Sequence, residues 1–251
     1  MTPLQASSSS FHTLVIRNVN MPEPTHGGEM ARKYIKEVSD ANMDDCIRSA
    51  SFNADVQEAI SKHVNLELRS WYAFKKLAAD SSRADVNLHG FALLFEKSAL
   101  ECLADACYLE KYAIQRGGKA HPMDIPAPKI EYSTHPIDGI RPIQDALHIQ
   151  KAIFEDCQRL TEVAGQNKDY ALMDVVESRF LCKETKHVKD LGDLLREVAR
   201  VSKNPGHGLF HLDKELLKNK GRIPWTCHNL PESADLVLKE MACSLGEPSA
   251  I

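Results

Sequence analysis

Phe91, Leu94, Phe95, Ser98, Cys102, Asp105, Leu109 and Tyr112 recur at steps of three and four residues. That spacing lines side chains along one stripe of an α-helix. The stripe, within residues 90–117, is apolar at both ends and polar at Cys102 and Asp105 in its middle. Polar groups halfway along a core-facing stripe need buried partners. The chain must therefore pack this helix among others that carry polar groups at the same height. The segment stops at Gln115-Arg116-Gly117-Gly118, where paired glycines suit a left-handed cap.

Three further long stretches have the same character. Residues 53–80 carry Ile60, Val64, Trp71, Phe74 and Leu77, with Glu67 in register among them. Residues 138–166 carry Ile143, Leu147, Phe154 and Cys157 around Gln150. Residues 170–201 carry Met173, Val176, Phe180, Leu191 and Leu194, with Glu184 and His187 on the stripe between. A shorter segment, 207–219, reads as a fifth helix. Between the second and third helices, residues 117–136 hold two glycines and the prolines Pro122, Pro126, Pro128 and Pro136, which exclude a helix. A connection of roughly 20 residues exceeds the usual 2–8 between antiparallel neighbours. It is long enough to run back along a helix pair and make the third helix parallel to the second. The predicted fold is all-α: a four-helix bundle with a long crossover between helices 2 and 3, a short fifth helix and a C-terminal extension.

The flanks read differently. Residues 1–52 are rich in Ser, Pro, Asn and Gly and are expected to form a flexible arm, with a short helical piece near 29–38. Residues 53–219 form the helical domain. In the extension, 220–251, Pro231-Glu232-Ser233 resembles a helix start, and Ala234, Val237, Leu238, Met241 and Leu245 form an amphipathic stripe. A net charge of −4 gives no pull toward nucleic acid or acidic membranes. No apolar run approaches the roughly 20 residues that cross a bilayer. The first residues make a poor secretory signal and are short of arginine for a transit peptide. Seven scattered cysteines without a CxxC pair point to reduced thiols and a cytoplasmic protein.

Each long helix thus carries polar groups near the midpoint of its buried face: Glu67, then Cys102 and Asp105, then Gln150, then Glu184 with His187. Buried carboxylates need a partner, a proton or a cation. Two readings stand open. One is a hydrogen-bonded network with nothing bound. The other is a site for a hard or borderline divalent cation, Fe(II) or Zn(II), since carboxylates and imidazole dominate.

The segments VNLELRSWY (64–72), IQRGGKAH (114–121), ALHIQK (146–151), HVKDLGDLLREV (187–198) and HLDKELL (211–217) resemble animal ferritin heavy and light chains. The resemblance covers residues 53–219 and implies a five-helix subunit of a hollow 24-subunit cage that stores ferric iron, alone or mixed with other ferritin chains. It also implies where an iron-oxidising centre would lie. Glu67 matches the family's first-helix ligand. Phe74 stands where active chains have tyrosine, and Cys102 and Asp105 stand where they have Glu and His. Gln150 replaces a glutamate, Glu184 a glutamine, and His187 a small residue. The changed positions do not carry the salt-bridging lysines of non-oxidising light chains. The retained metal-ligand candidates are Glu67, Asp105, Gln150, Glu184 and His187.

Other matches are architectural. Asp174 and Glu177 align with the paired carboxylates of the family's three-fold iron pore. His207, His211 and Glu215, at steps of four, align approximately with positions facing the four-fold axis. Of the acidic nucleation patch of light chains only Glu101 remains, beside Lys97, Ala104 and Cys107. Lost ferroxidase ligands, many cysteines and a C-terminal extension also resemble artemin, a ferritin-like cage regarded as a stress-linked chaperone. The expected function is iron binding and storage with a degenerate oxidation centre, most of whose ligands are substituted, which leaves enzymatic activity open. The alternatives are an artemin-like chaperone and an oxidase built on Glu67, Asp105, Glu184 and His187.

Overall fold

Asn53 opens the first helix. Its side-chain oxygen accepts a hydrogen bond from the Val56 backbone N–H at 3.1 Å, satisfying a donor that every helix start leaves free. The computed structural model describes Arg32 and residues 48–131, 139–202 and 207–224. All but Arg32 belong to the unit Asp44–Ile251. In it α1 spans Ala54–Ser81, α2 His89–Gln115, α3 Ile140–Gln166, α4 Tyr170–Val175, α5 Cys182–Val201 and α6 His207–Lys218. A π-helical turn, Val176–Leu181, joins α4 to α5 and makes one long fourth helix of the three segments. No strand occurs among the described residues, and the chain is all-α.

The crossover runs as its length demands. Gln57, near the start of α1, hydrogen-bonds His121, and Asn65 donates to the Asp124 carbonyl at 3.2 Å. Further along, Lys76 borders a cleft shared with Pro128, Ile130 and Arg141. Successive loop residues thus meet successively later positions of α1, so the connection travels from one end of the bundle to the other. The described part, 116–131, holds no helix. α3 then returns antiparallel to α1, which its end confirms: Asn53, at the head of α1, hydrogen-bonds Asn167, just past α3. α1 packs between α2 and α3, α3 lies along α5, and α6 rests on α2 and α5.

Both ends of α2 are tied down by distant carboxylates. At its start Asp213 of α6 accepts from the Gly90 N–H at 2.6 Å and the Phe91 N–H at 3.3 Å. At its end Gly117 adopts φ 81° and the Gly118 N–H reaches back to the Ala113 carbonyl at 2.8 Å, the expected left-handed cap. There Arg116 forks onto the buried Asp169 at 2.9 and 3.1 Å, while Asp169 also caps α4 through the Leu172 N–H.

Three expectations change. Residues 48–52, assigned by composition to the arm, belong to the bundle: Phe52 is fully buried, with Arg116 5.0 Å above its ring. On α3 Ile143, Gln150 and Cys157 are buried as expected, but Ala146 and Ile153 take the inward positions expected of Leu147 and Phe154, which lie at the edge of the stripe. On α4 the buried position is Leu172, and Met173 is half-buried. The rest of the arm, apart from the helical Arg32, and the stripe from Ala234 to Leu245 lie outside the described residues.

Candidate functional site

Glu67 sits at the centre of the bundle and is 1% exposed. Neither of its carboxylate oxygens has a hydrogen-bond partner; His63 Nε2 stands 3.5 Å from Oε1. Burial pushes this carboxyl above its ordinary range, and nearby Asp105 adds to that while His63 opposes it. Across from it, α2 contributes Asp105 and Cys102, both buried, and α3 contributes Gln150. α5 contributes Glu184, which accepts a hydrogen bond from the Gln150 amide.

A residue not foreseen occupies the middle. Lys183 Nζ is ion-paired to Asp105 Oδ2 and lies 3.1 Å from Glu184 Oε1. Its stem passes the Phe180 ring, with Nζ 5.6 Å from the ring centre, and its side chain is 13% exposed. Burial disfavours the ammonium, yet Asp105, Glu184, Glu67 and Glu101 hold the lysine pKa well above its usual value. Burial likewise works against ionised Glu184, yet Lys183 and His187 hold it down at about 2. The lysine therefore sits as a resident cation among the carboxylates. No changed ligand position is itself lysine, but the neighbouring Lys183 supplies the salt bridge that alignment alone excluded.

His187 lies at the edge of this cluster. Its Nε2 is 3.3 Å from Glu101 Oε2 and its Nδ1 is 3.7 Å from Glu184 Oε2. Desolvation would lower its pKa, but Glu101 and Glu184 raise it above 6.5. On the other side of Glu67, fully buried His63 holds Asp156 at 2.7 Å through Nδ1, and Cys157 Sγ lies 3.7 Å from Nε2. Burial opposes the imidazolium, but Asp156, Cys157 and Glu67 raise its pKa well above the usual value.

Of the predicted ligands, Glu67, Asp105, Gln150 and Glu184 meet in one buried cluster, and His187 touches its rim. Among the described residues no three His, Cys, Asp or Glu side chains stand where one metal ion would be held. Asp174 and Glu177 are exposed on α4 and the π-turn, apart from the cluster. His207 and His211 pair on α6, with Nε2 atoms 3.2 Å apart, and Glu215 is exposed one turn later. Sequence reasoning missed Lys183 and His63. His63 was legible, since it stands four residues before Glu67 on the same stripe. Lys183 was signalled only by its i,i+3 relation to Phe180.

Residues 57–201 match the family model described as a ferritin-like domain. The chain belongs to the ferritin family. It is 30% identical over 217 residues to a protein named Ferritin-3, chloroplastic, of Arabidopsis thaliana, covering 86% of this chain and 81% of that one. It is 31% identical over 170 residues to Ferritin-2, chloroplastic, of the same plant, covering 67% of this chain and 66% of that one. Soma ferritin of the snail Lymnaea stagnalis is 31% identical over 170 residues, covering 67% and 94%. The match thus spans just under two thirds of Ferritin-2 and most of the other two. The all-α bundle described above fits that family.

Proposed function

We propose that this chain is a ferritin cage subunit that takes part in ferric iron binding and storage but does not itself oxidise ferrous iron. The observation that carries the reading is the Lys183 ammonium between Asp105 and Glu184. An Fe(II) ion seeking the same carboxylates would have to expel a buried, doubly paired lysine, and stripping one partner from such a pair costs about 3–5 kcal/mol. His187 is engaged with Glu101 at the rim and is not aimed, with Glu67 and Asp105, at one point. This weighs against the oxidase built on Glu67, Asp105, Glu184 and His187.

Iron would reach the cage interior by other groups. Asp174 and Glu177 are both exposed, and a ring of such carboxylates around a symmetry axis concentrates cations at a pore mouth. Oxidation would fall to partner chains in mixed cages, so the reading includes assembly into a 24-subunit cage with other ferritin chains as well as with itself, as the family resemblance of residues 53–219 implies. The thiols of Cys102, Cys107, Cys157 and Cys182 are free, in keeping with the cytoplasmic placement expected from the cysteine pattern. No helix among the described residues is long and apolar enough to cross a membrane.

The test is oxygen consumption by the purified chain on adding Fe(II), with elemental analysis of the cage afterwards. Oxidation little faster than in buffer, with iron retained when an oxidising chain is co-assembled, is the expected result. Rapid oxygen uptake lost in Glu67→Ala or His187→Ala would overturn it. Cages that retain no iron even with an oxidising partner would favour the chaperone alternative.

A further inference from the structure

Among the described residues, Asp105 Oδ1 and both carboxylate oxygens of Glu67 are buried without a hydrogen-bond partner. Buried polar atoms nearly always have one, so these three oxygens need an explanation. The other oxygen of Asp105, Oδ2, is in contact with Lys183 Nζ, although the two residues stand 78 positions apart on α2 and α5. The lysine is held there from two sides. Its stem passes the Phe180 ring, and Glu184 Oε1 lies 3.1 Å from Nζ. The Lys183 side chain is 13% exposed and that of Asp105 1%, so little bulk water competes for either group. Glu184 is itself engaged by the Gln150 amide and by His187. A nitrogen, a carboxyl carbon with one unclaimed oxygen and a spare carboxyl group are thus gathered where water is scarce.

We propose that Lys183 and Asp105 condense, within one folded chain, to an isopeptide bond that ties α5 to α2. An ammonium paired with a carboxylate already holds the atoms of an amide plus one water. Nζ passes two of its three protons to the surrounding carboxylates, and its lone pair attacks Asp105 Cγ. The Nζ–Cγ bond forms, the Cγ–Oδ2 bond breaks, and Oδ2 leaves with those two protons as water. No oxidant, reductant or other reactant is consumed. Glu67 relays the protons: its oxygens are unclaimed, and both Asp105 and Lys183 act on it electrostatically. The ammonium is the favoured form of Lys183, so the reaction draws on its minor amine form. Proton transfer inside the cluster leaves the net charge unchanged, and burial favours the neutral pair over two ions. Reactants held in place reach effective concentrations of about 10⁵ M or more, so even a minor form reacts. The buried amide is then out of reach of hydrolysis. The proposal rests on the same placement of Lys183 as the iron reading, and it makes that closure of the carboxylates permanent.

The experiment is intact-mass spectrometry of the purified, denatured full chain, followed by peptide mapping. The native chain is expected to be lighter by one water than its sequence requires, and to yield a branched peptide joining the segments around Asp105 and Lys183. Cyclisation of an aspartate elsewhere would lose the same mass, so the branched peptide decides. Lys183→Arg keeps the cation and should show the full mass, and Glu67→Gln should leave much of the freshly made chain unlinked. A native chain of full mass, with Lys183 recovered as a free amine after prolonged incubation of the folded protein, refutes the bond. The mass is read without iron, so the two readings fail separately. An unlinked chain that oxidises no iron sinks this proposal alone, and a linked chain that oxidises iron sinks the storage reading alone.

Discussion

Lys183 shows how much one side chain decides here. Its ammonium neutralises Asp105 and Glu184 in a region where an unpaired charge is costly. Lys183→Met keeps the length and removes the charge, leaving Asp105 without its cation and Glu184 with only Gln150 and His187. The variant is expected to lose about 3–5 kcal/mol of stability, read from the denaturant midpoint, and to recover part of it when Fe(II) is added without oxygen. No gain from metal would mean that the cluster cannot be opened to cations. Glu67 makes the opposite case. Its folded pKa is raised, so its favourable contribution is complete below the unfolded value of 4.5 and is lost as pH rises through the folded one. Glu67→Gln should therefore raise the melting temperature near neutral pH, with the difference vanishing below about pH 4.5. A gain that persists in acid would point to packing rather than charge.

At the scale of helices, the joints matter more than the stripes. Asp169 is fully buried and serves two elements at once, capping α4 through Leu172 and receiving the Arg116 fork from the end of α2. Asp169→Ala removes both and leaves a half-buried guanidinium without its partner, an expected loss of about 3 kcal/mol or more. Asp169→Asn can keep the cap, which alone is worth about 1 kcal/mol, and should fall between Ala and the native chain in chemical unfolding. Equal losses in the two variants would assign the whole effect to the ion pair. The π-turn at Val176–Leu181 is the other joint. A π-turn breaks the regular step of an α-helix and is often found beside functional sites. Here it directly precedes Lys183 and Glu184.

For the molecule as a whole, acid is the informative perturbation. Burial would raise Asp156, but His63 and Arg159 bring it down from 3.8 to about 2, and Lys183 and His187 bring Glu184 from 4.5 to about 2. A depressed carboxylate contributes stability that is present above its unfolded pKa and lost as pH falls through its folded one. The bundle should therefore lose stability steeply between pH 4.5 and about 2. Asp156→Asn should flatten that slope, which circular dichroism along a pH series would measure. An unchanged slope would move the acid sensitivity to other groups.

The helices, their order and the crossover could be read from the chain because they rest on local facts. Hydrophobic spacing repeats along each helix, glycine and proline stop it, and a long loop has few places to go. Even the convergence of Glu67, Asp105, Gln150 and Glu184 followed, because midpoints of antiparallel helices meet. What filled that convergence did not follow. Lys183 lies just off the stripe on which Glu184 sits, and a long flexible side chain reaches wherever charge and space draw it. That depended on the placement of α5 after the π-turn, which brings Lys183 to Asp105 of α2. Phe52 is a similar case: its local sequence is that of an arm, yet it is buried in the core, with an arginine sixty-four residues away lying over its ring. Periodicity reports which faces turn inward, whereas the partner of a buried charge is chosen in three dimensions, by whichever opposite charge can reach it.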